Sequence, residues 1–158
     1  MISRGSSLGT RALCTVLACA FALVADALAA DVLVVGDSMM KPVARALKKE
    51  CIARDLSVEI MTSIGSGLAR LDLLDWHTEV RALVEAHEPK TAFVMMGTND
   101  NQPMQMGDAT LPFGGEGWKM EYGRRAGKLM DILVEEGAVR VVWIGLACMR
   151  ESELDADA

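Results

Sequence analysis

Short β-branched runs that stop at a glycine recur along this chain and limit what it can fold into. Val32 to Val35 ends at Gly36, Thr91 to Met96 ends at Gly97, and Val139 to Ile144 ends at Gly145. Such continuous apolar runs suit strands buried on both faces of a parallel sheet. Ser57 to Met61 (SVEIM) reads as one more strand, the second in chain order. Between the runs lie amphipathic stretches of helical period. Met40 to Arg54 carries Val43, Ala44, Leu47 and Cys51 on one face, and Trp76 to Glu88 carries Val80, Leu83 and Val84. Lys119 to Glu136 carries Ala126, Leu129, Ile132 and Leu133, with Gly137 as a stop. Alternating strands and helices with short connections imply right-handed crossovers and an α/β fold, a parallel sheet with helices on both faces. Two stretches fit neither period: Thr62 to Asp75, and the long loop from Asn99 to about Trp118.

Residues 1–30 read as a secretory signal peptide. Arg4 and Arg11 form the charged region, Ala12 to Ala25 the apolar core, and Ala27-Leu28-Ala29 the small-residue cleavage pattern. The apolar run is short for a membrane span and Asp26 interrupts it, leaving an uncleaved anchor as the alternative. The expected organisation is therefore a signal over 1–30 and one domain over 31–158, exported to the bacterial envelope, with no integral span after cleavage. The chain is 51% hydrophobic, 4% aromatic and carries a net charge of −6, which supports a globular core and argues against a nucleic-acid surface. An anionic polymer would be held by local basic residues, not by the overall field. Cys14 and Cys19 lie in the signal. Cys51 and Cys148 have no close spacing and no histidine partner, so buried free thiols are favoured over a zinc site, with a disulfide between them left open.

The distinctive residues follow three strands: Gly36-Asp37-Ser38, Gly65-Ser66-Gly67-Leu68 and Gly97-Thr98-Asn99-Asp100. A parallel sheet puts all three on its carboxyl edge, where open α/β sheets bind ligands. A nucleophilic serine needs donors for the oxyanion of a tetrahedral intermediate. Ser38 N–H, a glycine N–H of the second loop and the Asn99 amide would make such a set.

These three blocks, in this order, resemble blocks one to three of the SGNH, or GDSL-type, hydrolases. With SGLARLDLLDW, GTNDNQ, Trp118, Tyr122, Arg125 and VVWIGLACMR, the chain resembles a bacterial exported subgroup of SGNH-like proteins. The resemblance implies a flavodoxin-like three-layer α/β/α sandwich and hydrolysis of ester bonds through an acyl-serine, without cofactor or metal. Ser38 would be the nucleophile, with Ser38, Gly67 and Asn99 as the oxyanion hole and Gly65 the competing glycine. Asp37, Arg70, Asp100 and Arg125 are further candidates for substrate binding. The expected partner is a small acyl ester or an acylated envelope glycan; acyl group, acceptor and oligomeric state are left open. The family's fourth block, a C-terminal DxxH supplying the base, has no counterpart. Histidine occurs only at 77 and 87, and Asp155 and Asp157 have none to orient. These residues therefore read as the N-terminal part of a longer domain.

Simpler roles compete at each position. Alone, Ser38 reads as a helix N-cap, Asp37 as a cap or an acid, and Asn99 as a turn cap; the resemblance implies that Asp37 supports the turn and is not the triad carboxylate. His77 suits a surface or capping role better than that of a base. Met95 and Met96 read as strand core, Met104 and Met106 as part of a flexible loop, and Arg124, Arg125 and Arg70 as solvated charges or anion holders. A non-catalytic envelope binding module is the rival function. A nucleotide or flavin binder is weaker, since no phosphate-cradling glycine loop is present.

Overall fold

The computed structural model describes residues 29–135 and 140–146. Most of the signal segment, Cys14, Cys19, Gly137, Val139, Cys148 and the terminal ESELDADA lie outside the described residues. Four parallel strands form the main sheet: β1 (Val32–Gly36), β2 (Val58–Thr62), β3 (Thr91–Met95) and β6 (Arg140–Trp143), in the spatial order β2-β1-β3-β6. Helix α1 (Met40–Ile52) joins β1 to β2, and α2 (Trp76–His87) joins β2 to β3. Helix α3 (Glu116–Glu135) precedes β6. This is the α/β three-layer arrangement expected, with the strand order of flavodoxin-like sheets.

Side chains alternate across β1, and each set has its own helical layer. Val32 and Val34 pack with Met40, Ala44 and Cys51 of α1. Leu33 and Val35 pack with Trp76, Val80 and Val84 of α2 and with Leu129, Ile132 and Leu133 of α3. All of β1 is buried, as its unbroken apolar run requires. The β2 edge is only half-buried and accommodates the polar Glu59. Cys51 is a buried free thiol.

The stretch from Asn99 to Trp118 is more ordered than expected. It contains a hairpin of β4 (Met104–Met106) and β5 (Ala109–Leu111), and α3 begins at Glu116, not Lys119. The connection is Gly107-Asp108, with φ +59° at Gly107 and a negative φ at Asp108, as in a type II′ turn. Met104 is fully buried, not part of a flexible loop, and packs with Ala69, Trp118, Leu111, Phe113 and Tyr122.

Candidate active site

The first connection runs from β1 to β2 on one side, and the next crosses back from β2 to β3 on the other side of β1, so the strand order reverses between β1 and β3. The crevice at that reversal lies at the carboxyl ends of β1 and β3, the usual ligand position in such sheets. The turn after β1 is tight. A Cβ on Gly36 would stand 2.2 Å from the carbonyl oxygen of Met95. Asp37 is fully buried and its carboxylate joins two turns. Oδ1 accepts from Met39 N–H at 2.8 Å, while Oδ2 accepts from Gly97 and Thr98 N–H, both at 3.2 Å. Asp37 thus supports the turn.

Ser38 is not the helix cap. The capping position of α1 falls on Met39, which makes no side-chain cap bond. Ser38 is half-buried, and neither its hydroxyl nor its N–H has a hydrogen-bond partner among the described residues.

A second buried carboxylate organises the other two loops. Asp100 is 2% exposed; Oδ2 accepts from Leu68 N–H at 3.1 Å and from the Tyr122 hydroxyl at 2.8 Å, and Oδ1 accepts from Ala69 N–H at 2.7 Å. Gly67 sits directly against it. A Cβ there would lie 2.1 Å from Asp100 Oδ1. Gly67 is buried, yet its N–H makes no hydrogen bond among the described residues. Gly65 is exposed at φ +71° with open space around its Cα, which makes it a turn residue. Asn99 Nδ2 donates one hydrogen to the Ser66 carbonyl at 2.9 Å, and an amide carries a second. Ser66 Oγ in turn donates to the Ser63 carbonyl and accepts from Trp76 Nε1.

Beyond Ser63 the loop to Asp75 has no ladder partner, so its buried backbone groups need side chains. Asp100 takes the N–H groups of residues 68 and 69, and Arg125 takes their carbonyls. Arg125 Nη1 donates to Leu68 O at 2.8 Å and Ala69 O at 3.0 Å, Nη2 donates to Gln105 O at 3.1 Å, and Nε to Glu121 Oε1 at 2.8 Å. At 6% exposure Arg125 is a buried clamp. Arg70 is partly exposed, and Asp72 holds it in a two-point pair at 2.8 and 2.6 Å. Of the further binding candidates, then, Asp37, Asp100 and Arg125 form the frame of the loops.

Burial pushes the Asp100 carboxyl up against the pull of the backbone N–H groups it accepts. Burial, followed by the nearby Asp100 charge, likewise pushes the Tyr122 hydroxyl up. Glu121 moves the other way. Hydrogen bonds from Arg124, and then from Arg125, draw it down to about 2. His77 is buried at 4% exposure, not on the surface. Its Nε2 lies 2.9 Å from the Arg125 carbonyl, and burial lowers its pKa. A neutral ring donating from Nε2 fits that contact.

Tyr122, Glu121 and Trp118 complete the frame, and sequence reasoning assigned them no part in it. Trp118 stacks on Tyr122 with centroids 4.8 Å apart and donates Nε1 to Gln102 O at 2.8 Å. The Glu121/Arg125 spacing of four on a helix was the available signal. Among the described residues no cluster of His, Cys, Asp and Glu is arranged to hold a metal, and no helix is long and apolar enough to cross a membrane.

A family model described as a protein of unknown function, DUF459, matches residues 31–158. The chain belongs to the DUF459 family. In this DUF459 chain the matched span takes in all three loops and both carboxylates that lace them. No curated protein matches the chain in sequence.

Proposed function

We propose that this DUF459 domain is a serine hydrolase of the SGNH type, acting on O-acyl esters. One observation carries the reading. Five loop N–H groups around the crevice, those of residues 39, 97, 98, 68 and 69, are engaged by Asp37 and Asp100. The N–H groups of Ser38 and Gly67 and the hydroxyl of Ser38 remain without partners among the described residues. Gly67 is buried, and a buried backbone donor is rarely left without an acceptor; an oxyanion would supply one. Ser38 Oγ attacks the acyl carbon, its proton passes to a general base, and Ser38 N–H, Gly67 N–H and the second Asn99 amide hydrogen face the oxyanion. The alcohol leaves and water releases the acyl group from the serine. His77 does not suit the base, because Nε2 is committed to the Arg125 carbonyl.

The export signal read in residues 1–30 and family habit make acylated envelope glycans the favoured substrates. Ser38→Ala abolishes hydrolysis of a short acyl ester on this reading; retained turnover overturns it. The engagement of His77 Nε2 with the Arg125 carbonyl favours a second reading, a binding module that keeps the crevice without turnover. Labelling by a fluorophosphonate that depends on Ser38 separates the two: a labelled serine speaks for the hydrolase, glycan binding without labelling for the module.

A further inference from the structure

A second concave surface adjoins the Ser38 turn. Lys41, Ala44, Arg45 and Lys48 of α1, with Ile60 and Thr62 of β2, line an open groove of about 250 Å³. Its upper end meets the candidate active site, since Lys41 N–H donates to Ser38 O at 3.3 Å and Thr62 pairs in register with Gly36. The three cations stand at intervals of four and three residues, so they share one side of the helix. At about 1.5 Å of rise per residue they extend roughly 10 Å along it.

None of the three cationic side chains has a hydrogen-bond or ion-pair partner among the described residues, whereas Arg54 further along is paired with Glu50, and Arg70 with Asp72. Three unpaired cations lining one groove of a chain with a net charge of −6 form a local positive field inside an acidic molecule. Ala44 and Ile60 give the groove an apolar floor and Thr62 adds a hydroxyl. No aromatic side chain lines it, so it offers nothing for nucleobases to stack on.

We propose that this groove binds an acidic polysaccharide, with carboxylates along the sugar chain facing Lys41, Arg45 and Lys48, and so leads an acylated acidic glycan to Ser38. A row of separated cations suits repeated charges better than a single phosphate. The substrate assignment rests on the serine-hydrolase reading; the groove's affinity does not.

The test measures binding of a fluorescent oligogalacturonate to the whole chain by anisotropy at low and high salt. Arg45→Glu/Lys48→Glu should weaken binding about tenfold or more and reduce its salt dependence. Lys49→Glu/Lys119→Glu, which makes the same change in total charge outside the groove, should change it little. All four positions are exposed, and circular dichroism checks that both variants fold. Equal losses in the two variants overturn the proposal, as does equal binding of a neutral glucan oligomer or tighter binding of single-stranded DNA. Hydrolysis of a short neutral ester, assayed in parallel on the unmodified chain, reports on Ser38 alone, so failure of the groove and failure of the nucleophile appear in different measurements.

Discussion

A methyl group on Gly67 has nowhere to go. It would stand 2.1 Å from Asp100 Oδ1, and that oxygen is fixed by Ala69 N–H. Gly67→Ala should therefore lower stability by roughly 1–3 kcal/mol, the usual cost of overpacking, read as a shift in the urea midpoint. Gly65→Ala meets open space and bears only its left-handed backbone, about 1 kcal/mol. A larger loss at Gly65 than at Gly67 would contradict this account. The residue types around the crevice were legible in the sequence, because GDS, GSG and GTND end strands or follow them closely. What each carboxylate does was not. A buried aspartate that accepts backbone N–H groups and one that faces a ligand look the same in a sequence. Only the path of the second loop, which lacks ladder partners, shows why Asp100 and Arg125 were needed as frame, and only the meeting of the first and third turns shows why Asp37 was.

Helix α3 is tied to the second loop and to the hairpin by one side chain. Arg125→Leu removes four hydrogen bonds, leaves the carbonyls of Leu68, Ala69 and Gln105 without that donor and leaves Glu121 with Arg124 alone. Breaking a buried ionic network of this kind should cost about 3–5 kcal/mol in chemical denaturation. Faster amide exchange over residues 63–70 should accompany the loss. Unchanged exchange there would mean that Arg125 does not hold the loop. The three helices and four parallel strands were readable from periodicity, within a few residues at their ends. The hairpin was hidden because its strands are three residues each, too short for alternation to register, although Gly-Asp between apolar residues is a recognised turn signal.

At the scale of the molecule, the central place of β1 and the edge place of β2 follow from their patterns, one unbroken and apolar, the other interrupted by Glu59. The packing of α2 against α3 decides the response to acid. His77 faces Asp75, Arg124 and Lys128; burial holds its folded pKa below the ordinary 6.5. The unfolded chain then takes up a proton first, so stability is complete above about pH 6.5 and falls as pH drops toward the folded value. Glu121, drawn from 4.5 to about 2, adds a second loss between those values. Urea midpoints across pH should show both declines, and His77→Gln should flatten the upper one while sparing the lower. A profile unchanged by His77→Gln would remove the histidine from the account.

The lacing of the loops also bears on the order in which the molecule forms. Asp37 reaches residues 60 and 61 positions away, and Asp100 reaches back 31 and 32. Bonds of that span carry a loop-closure cost that local helices do not, and they form only after the parallel strands have found one another. The serine turn is itself completed only when β3 is in place, because Asp37 N–H donates to the Met95 carbonyl at 3.1 Å and the Asp37 carboxylate accepts from Gly97 and Thr98. On the proposed hydrolase reading, a nascent or partly refolded chain would carry the Ser38 hydroxyl without its surrounding donors, and ester hydrolysis would appear only with the last tertiary contacts.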